Sequence, residues 1–97
     1  YMNEKIDKAN KLRIEIEQII DLLDIIKDGQ TYDTKYKSQN TFSCLEINAH
    51  VCTGSQSSRH NKKIDNNETI TKFCNAGSLV LREELSKKQL ELEALFK

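Results

Sequence analysis

The first 28 residues carry an apolar side chain at every seventh position and, in most repeats, another three positions later. This spacing is the a/d heptad pattern of helices that pack side by side. The chain has no proline, and no glycine precedes Gly29, so no helix-breaking residue interrupts the pattern. Lys5 occupies a d position and breaks the apolar repeat once. The sequence therefore predicts a helix over residues 2–28. Its repeat consists of Met2, Ala9, Ile16 and Leu23, with Leu12, Ile19 and Ile26 in the second positions.

The apolar stripe of this predicted helix is unusually wide. At 100° per residue it covers an arc of about 160°, which is more than the seam of a two-stranded coiled coil requires. Ile14 and Ile25 fall outside even that arc. We therefore expect the first helix to contact more than one neighbour, as in a trimer, a tetramer or a bundle.

A second helix is predicted over residues 78–97. Gly77 is interpreted as the boundary before it, and Ser78 as its N-cap. Leucines again recur at a/d spacing, with Lys88 interrupting them, and their seam is narrower, about 100°. The pattern is typical of a helix that packs in a coiled coil or bundle.

The insert of residues 29–77 is too long for an ordinary connection between two helices. Apolar and polar residues alternate from Cys44 to Cys52, which predicts a strand whose apolar side rests on the helices. Residues 68–74 are rich in β-branched side chains and predict a second strand, with residues 53–67 as a polar loop between them. The predicted fold is a single, mainly α domain over residues 1–97. Two coiled-coil or bundle helices, paired as a hairpin or in an oligomer, flank a small β-hairpin.

The insert also contains side chains that can bind metals. Cys44, His50, Cys52, His60 and Cys74 lack the close pairs of ligands that are typical of structural zinc sites. His50 and Cys52 share one face of the predicted strand, and His60 or Cys74 could complete a site with them. Reduced cysteines and solvated histidines explain the pattern more simply, so we predict neither a metal nor a cofactor.

Several classes of function are disfavoured by composition. The sequence contains no catalytic set of nucleophile, base and acid in a supporting context, and the same is true of phosphate-binding loops and carboxylate pairs. We therefore predict that the chain is not an enzyme and that it binds no small-molecule substrate. Formal net charge is zero, and the basic residues 59–63 contain no aromatic residue for base stacking, which disfavours nucleic acid. The sequence contains no run of about 18 apolar residues, so no membrane span is predicted.

The compartment is inferred from the cysteines and the N-terminus. Three cysteines, an odd number, and the absence of a signal-peptide pattern favour an intracellular protein, with nucleus and cytoplasm left open. The sequence begins at Tyr1 and ends within a helical pattern, which suggests an excerpt from a longer protein.

These features predict a structural or adaptor subunit. Its helices would assemble into a homo- or hetero-oligomer or a multiprotein complex, and the insert would serve as a recognition element. The residues predicted to form the interface are Leu12, Ile16, Ile19, Ile20, Leu22, Leu23, Ile26, Leu81, Leu85, Leu92 and Leu95.

Two resemblances suggest alternatives. The order helix, β-hairpin, helix resembles the β-type prefoldin subunit, which implies a chaperone subunit whose hairpins build a barrel. The isoleucine-rich first repeat, cysteine-containing loop and second repeat resemble the ectodomain core of a viral class I fusion protein. That second resemblance implies a Cys44–Cys52 disulfide, a glycan at Asn67 and a trimer.

Overall fold

A computed structural model describes residues 2–97, with side chains described from residue 3 onward. It contains two long helices that flank two antiparallel β-hairpins, a very short one and a long one, which confirms a mainly α fold with a β insert. The elements in chain order are α1 (Met2–Asp28), β1 (Tyr32–Asp33), β2 (Ser38–Gln39), β3 (Leu45–Thr53), β4 (Gln56–Ile64) and α2 (Asn67–Leu95).

The two helices pack against each other as an antiparallel hairpin. Near its middle, the Lys88 Nζ donates to Glu15 Oε2 at 2.6 Å, and at one end the Gln30 side-chain amide donates to Asn75 Oδ1 at 3.0 Å. The core lies in the seam between the helices. Its buried apolar side chains are Ala9, Leu12, Ile19, Ile70 and Cys74.

The start of α2 differs from the prediction. The helix begins at Asn67, so the predicted strand at 68–74 and the predicted boundary at Gly77 are both wrong. Asn66 caps the helix, and its side-chain oxygen accepts a hydrogen bond from the Thr69 backbone N–H at 3.1 Å. Residues 70, 74, 77 and 81 then follow at spacings of four and three, so a helical seam lies within a segment rich in β-branched residues. Ser78, predicted as an N-cap, is therefore in the helix interior.

The predicted loop at 53–67 is also wrong, because most of it forms β4. The predicted strand over residues 44–52 is confirmed as β3 within one residue, and it pairs with β4 from Leu45 opposite Ile64 to Thr53 opposite Gln56. Gly54 and Ser55 connect the strands, and Gly54 has a φ of 61°. A positive φ at the first of two loop residues is the type II′ pattern, in which glycine is favoured.

This long hairpin projects away from the helices. Leu45 at its base is half-buried, but Ile47 and Val51 on the same face are 46% and 47% exposed. The expectation that the apolar side of β3 rests on the helices is therefore wrong beyond Leu45. The molecule measures 53 × 42 × 20 Å, and its radius of gyration is 17.7 Å. A compact domain of this length would have a radius of gyration of about 12.5 Å.

Phe42 joins the base of the hairpin to both helices. Its ring lies where a Cβ at Gly29 would be, so the chain needs glycine directly after α1. The Asn67 side-chain amide donates to the Phe42 carbonyl at 3.0 Å, and the Asn40 amide donates to the Asp28 carbonyl at 3.3 Å. These contacts set the position of β3 relative to the helix ends.

Candidate protein-binding surface

The predicted interface on α1 is divided by the helical hairpin into covered and uncovered side chains. The hairpin covers those that face α2 and leaves the neighbouring ones open to solvent. Leu12 and Ile19 are buried, Ile16, Leu23 and Ile26 are half-buried, and Ile20 and Leu22 are exposed. One companion helix therefore does not cover the apolar stripe of α1.

The predicted interface leucines of α2 are all half-buried, and Lys88 lies on the same seam. Their positions are Leu81, Leu85, Leu92 and Leu95. Lys88, which interrupts the leucine repeat, forms the ion pair with Glu15 across the helical hairpin. The hydrogen bond from Lys88 lowers the pKa of Glu15, and the same bond raises the pKa of Lys88. The interruption thus provides a polar contact between the helices.

An apolar groove of about 410 Å³ opens where α1, α2 and the base of β3 meet. We call it the junction groove. On α1 its wall includes Leu22 and Ile25, which are 50% and 60% exposed. On α2 it includes Phe73 and Val80, which are 55% and 61% exposed, while Leu45 closes the side formed by β3. A groove of this size that is lined by exposed apolar side chains is typical of a site that another protein covers.

Sequence reasoning missed part of this groove. Phe73 was assigned to a strand, and Val80 lies outside the leucine repeat, so neither was predicted to be at an interface. Their signal is the spacing of Phe73, Gly77 and Val80 at i, i+4 and i+7, which puts all three on one side of a helix. That signal becomes readable once α2 is known to begin at Asn67.

The possible metal ligands do not converge. The Cys52 Sγ lies 4.0 Å from the His50 Nε2 on one face of the hairpin. His60 pairs with Ala49 on the opposite face, where its Nε2 lies 3.2 Å from the Ser58 Oγ. Cys74 is buried on α2, and burial raises the pKa of its thiol. His60 and Cys74 therefore do not complete a site, and residues 2–97 contain no group of three or more His, Cys, Asp or Glu side chains that could hold a metal.

The cysteine arrangement implied by the fusion-protein resemblance is absent from the described structure. Cys44 and Cys52 are free, and Cys44 immediately precedes β3 whereas Cys52 lies within it. At about 3.3 Å per residue, eight residues of strand separate them by roughly 26 Å. Asn67, the implied glycan site, is the first residue of α2, and its amide is bonded to Phe42.

The long hairpin presents open strand edges and a divided set of charges. Within residues 2–97, β3 and β4 pair with each other and with no further strand. Arg59 and Lys63 lie on one face of β4 and Lys62 on the other, so the basic residues do not form one patch. Lysines and arginines on β4 discourage edge pairing, which leaves the β3 edge as the better surface for a partner strand.

No protein-family model, no curated protein and no solved structure matches this chain. A functional interpretation therefore depends on the residues and their geometry. Across residues 2–97, neither helix is long and apolar enough to cross a membrane.

Proposed function

We propose that this chain is a structural or adaptor subunit that assembles through its helical hairpin into an oligomer or a multiprotein complex. The observation that carries the proposal is the junction groove. Leu22, Ile25, Phe73 and Val80 expose at least half of their surface there, side by side on two packed helices. Burial of such side chains is favourable, so a partner that covers them gains free energy on binding.

The surface area of the molecule supports the same proposal. The chain exposes 8137 Å² of accessible surface, whereas a compact monomer of 11.2 kDa exposes about 5,700 Å². The difference exceeds the roughly 800 Å² that each partner contributes to a standard protein interface. Among residues 3–97, the five buried apolar side chains form a small core for a chain of this length. Assembly would enlarge that core.

The long hairpin is proposed as a lateral recognition element. It is exposed along its full length apart from Leu45, and it extends beyond the helices that would form the assembly. The β3 edge can accept a strand from a partner through backbone hydrogen bonds. Assembly and recognition would then use separate parts of the molecule.

The test compares Leu22→Asp and Val80→Asp with a matched control, Leu90→Asp. Leu90 is 66% exposed on α2 and does not line the junction groove. Sedimentation of the purified variants, alone and with proteins captured from the source organism, should show lost assembly for the two groove variants and none for the control. Ile19→Asp is a poor test, because Ile19 is buried in the helical hairpin and its substitution would unfold the chain. Equal assembly by all three variants would refute the proposal.

A prefoldin-like chaperone subunit is the second candidate. It is favoured by the projecting hairpin, which has an open edge on each strand and is flanked by antiparallel helices. This candidate predicts that the assembled protein suppresses aggregation of a denatured client protein, as measured by light scattering. A protein that assembles but leaves client aggregation unchanged would eliminate this candidate and leave the adaptor proposal intact.

A further inference from the structure

We propose that the partner covering α1 is a second copy of this chain, whose own α1 lies antiparallel to it. This inference rests on the proposed function and deepens it, because it names the partner and the register. The contact is made by what we call the outer strip of α1. Its members are Lys11, Ile14, Gln18, Asp21, Ile25 and Asp28.

The outer strip is a second heptad seam on the same helix. Its residues follow one another at spacings of three and four, and at 100° per residue they cover an arc of about 100°. All six are exposed, and Ile14 and Ile25 expose 57% and 60% of their surface. The arc is separate from the side that carries Leu12 and Ile19, which α2 covers. The outer strip therefore stays open after the helical hairpin has formed.

The two ends of the outer strip carry opposite charge. Lys11 lies at its N-terminal end and Asp28 at its C-terminal end. Two copies that run antiparallel bring Lys11 of each copy against Asp28 of the other, whereas two parallel copies bring Lys11 against Lys11 and Asp28 against Asp28. The charges at the ends of the outer strip therefore select the antiparallel arrangement.

One antiparallel register satisfies every position of the outer strip. When Ile14 lies opposite Ile25 of the second copy, Lys11 lies opposite Asp28 of the second copy. Gln18 then lies opposite Asp21 of the second copy, and two-fold symmetry repeats each pair. The result is two apolar layers enclosed by two ion pairs, with amide and carboxylate groups at the centre. A polar central layer of this kind specifies register in helical pairs.

The same register reaches the junction groove. Ile25 belongs both to the outer strip and to the groove wall, and Leu22 lies beside it on α1. Ile14 of the second copy, placed on Ile25, would therefore also shield part of the groove. The proposed contact is therefore continuous with the junction groove.

The test reverses the terminal charges of the strip. Lys11→Glu alone places Glu opposite Asp28 of the second copy, and Asp28→Lys alone places two lysines together. Each change converts two attractive contacts into two repulsive ones, so we expect dimerisation to weaken on the order of ten-fold. In a dimer that combines one copy of each variant, both charge pairs are again attractive. The same holds for two copies of the double variant, Lys11→Glu with Asp28→Lys. Both should therefore dimerise nearly as well as the original chain.

The control variants reverse charges on the same helix outside the strip. Arg13→Glu and Asp24→Lys match the two test variants in net charge, and both positions are exposed. Sedimentation over a range of micromolar to millimolar concentration should show little change in their dimerisation. Circular dichroism of each variant checks that the helices are retained, and recovery in the mixture itself shows that the test variants fold.

Recovery in the mixture, with unaffected controls, supports the antiparallel second copy. A purified chain that stays monomeric at every concentration overturns this inference, and so does a dimer that is indifferent to the charge reversals. The proposed function has a separate outcome, because it fails only when Leu22→Asp and Val80→Asp also leave every assembly with foreign partners unchanged.

Discussion

Replacement of Gly77 by alanine should stabilise the protein, although the sequence pattern predicts that this glycine is the boundary before a helix. Gly77 lies inside α2. Apart from its two chain neighbours and the nearby backbone of α2, no atom of the described structure lies within 4 Å of a Cβ added there. Glycine in a helix interior is less favourable than alanine by about 0.5–1 kcal/mol, because its backbone loses more conformational entropy on folding. Gly77→Ala should therefore raise the free energy of unfolding by about that amount.

The measurement is a thermal unfolding curve followed by circular dichroism. For a domain of this size, 1 kcal/mol corresponds to about 4–8 °C in Tm, so Gly77→Ala should raise the Tm by about 2–8 °C. The curves should be recorded at a concentration where the chain is monomeric, because Gly77 also lines the junction groove. An added methyl group there could change assembly separately from helix stability.

The other two glycines provide matched controls of the opposite sign. Gly54 has a φ of 61°, so Gly54→Ala should cost about 1 kcal/mol through backbone strain. Gly29→Ala would force the Phe42 ring away from the end of α1, at a cost of roughly 1–2 kcal/mol. If Gly77→Ala instead lowers the Tm as these two do, Gly77 is a helix boundary and α2 does not continue through it.

Three further predictions concern the helical hairpin. Ile70 is fully buried, so Ile70→Ala should lower the free energy of unfolding in urea by about 2–4 kcal/mol, and a loss below 1 kcal/mol would contradict its place in the core. Asn66→Ala should cost about 1 kcal/mol in the same assay by removing the cap of α2, and Asn66→Ser should restore most of it. The Glu15–Lys88 pair should stabilise the folded state above the ordinary glutamate pKa of 4.5, and this contribution should be lost as the pH falls through the lowered pKa of Glu15. At the alkaline end it should be lost as the pH rises through the raised pKa of Lys88, and Glu15→Gln should remove both dependences.

The parts of the fold that could be predicted are those with one strong period. The predicted bounds of α1 coincide with those observed, because its heptad continues until Gly29 and no glycine or proline interrupts it. The strand β3 was predicted within one residue, because nine residues alternate strictly between apolar and polar side chains. In both cases apolar residues recur with the period of the helix or the strand.

The parts that could not be predicted are those in which local propensity opposes the final environment. Residues 68–74 contain β-branched side chains that favour strands, yet the cap at Asn66 and the burial of Ile70 and Cys74 against α1 favour a helix. In β4, apolar and polar residues do not alternate, because both faces of this strand are exposed. Its pairing with β3 is therefore what makes this segment a strand. Neither the tertiary contact nor the pairing partner can be read from the segment alone.

The apolar side chains that α1 leaves exposed set a limit on the strength of the proposed assembly. Full burial of an aliphatic side chain contributes about 1.5–3 kcal/mol, so covering the exposed halves of Ile14, Leu22 and Ile25 in two copies contributes roughly 6 kcal/mol. Association itself costs about 4–15 kcal/mol, so these side chains alone support at most a weak dimer. Phe73 and Val80 would have to be covered as well before association reached micromolar strength. We therefore expect the outer strip to determine the register and the junction groove to supply the affinity. Consequently, Val80→Asp should weaken assembly more than Lys11→Glu does, while only the charge reversals should be rescued by mixing.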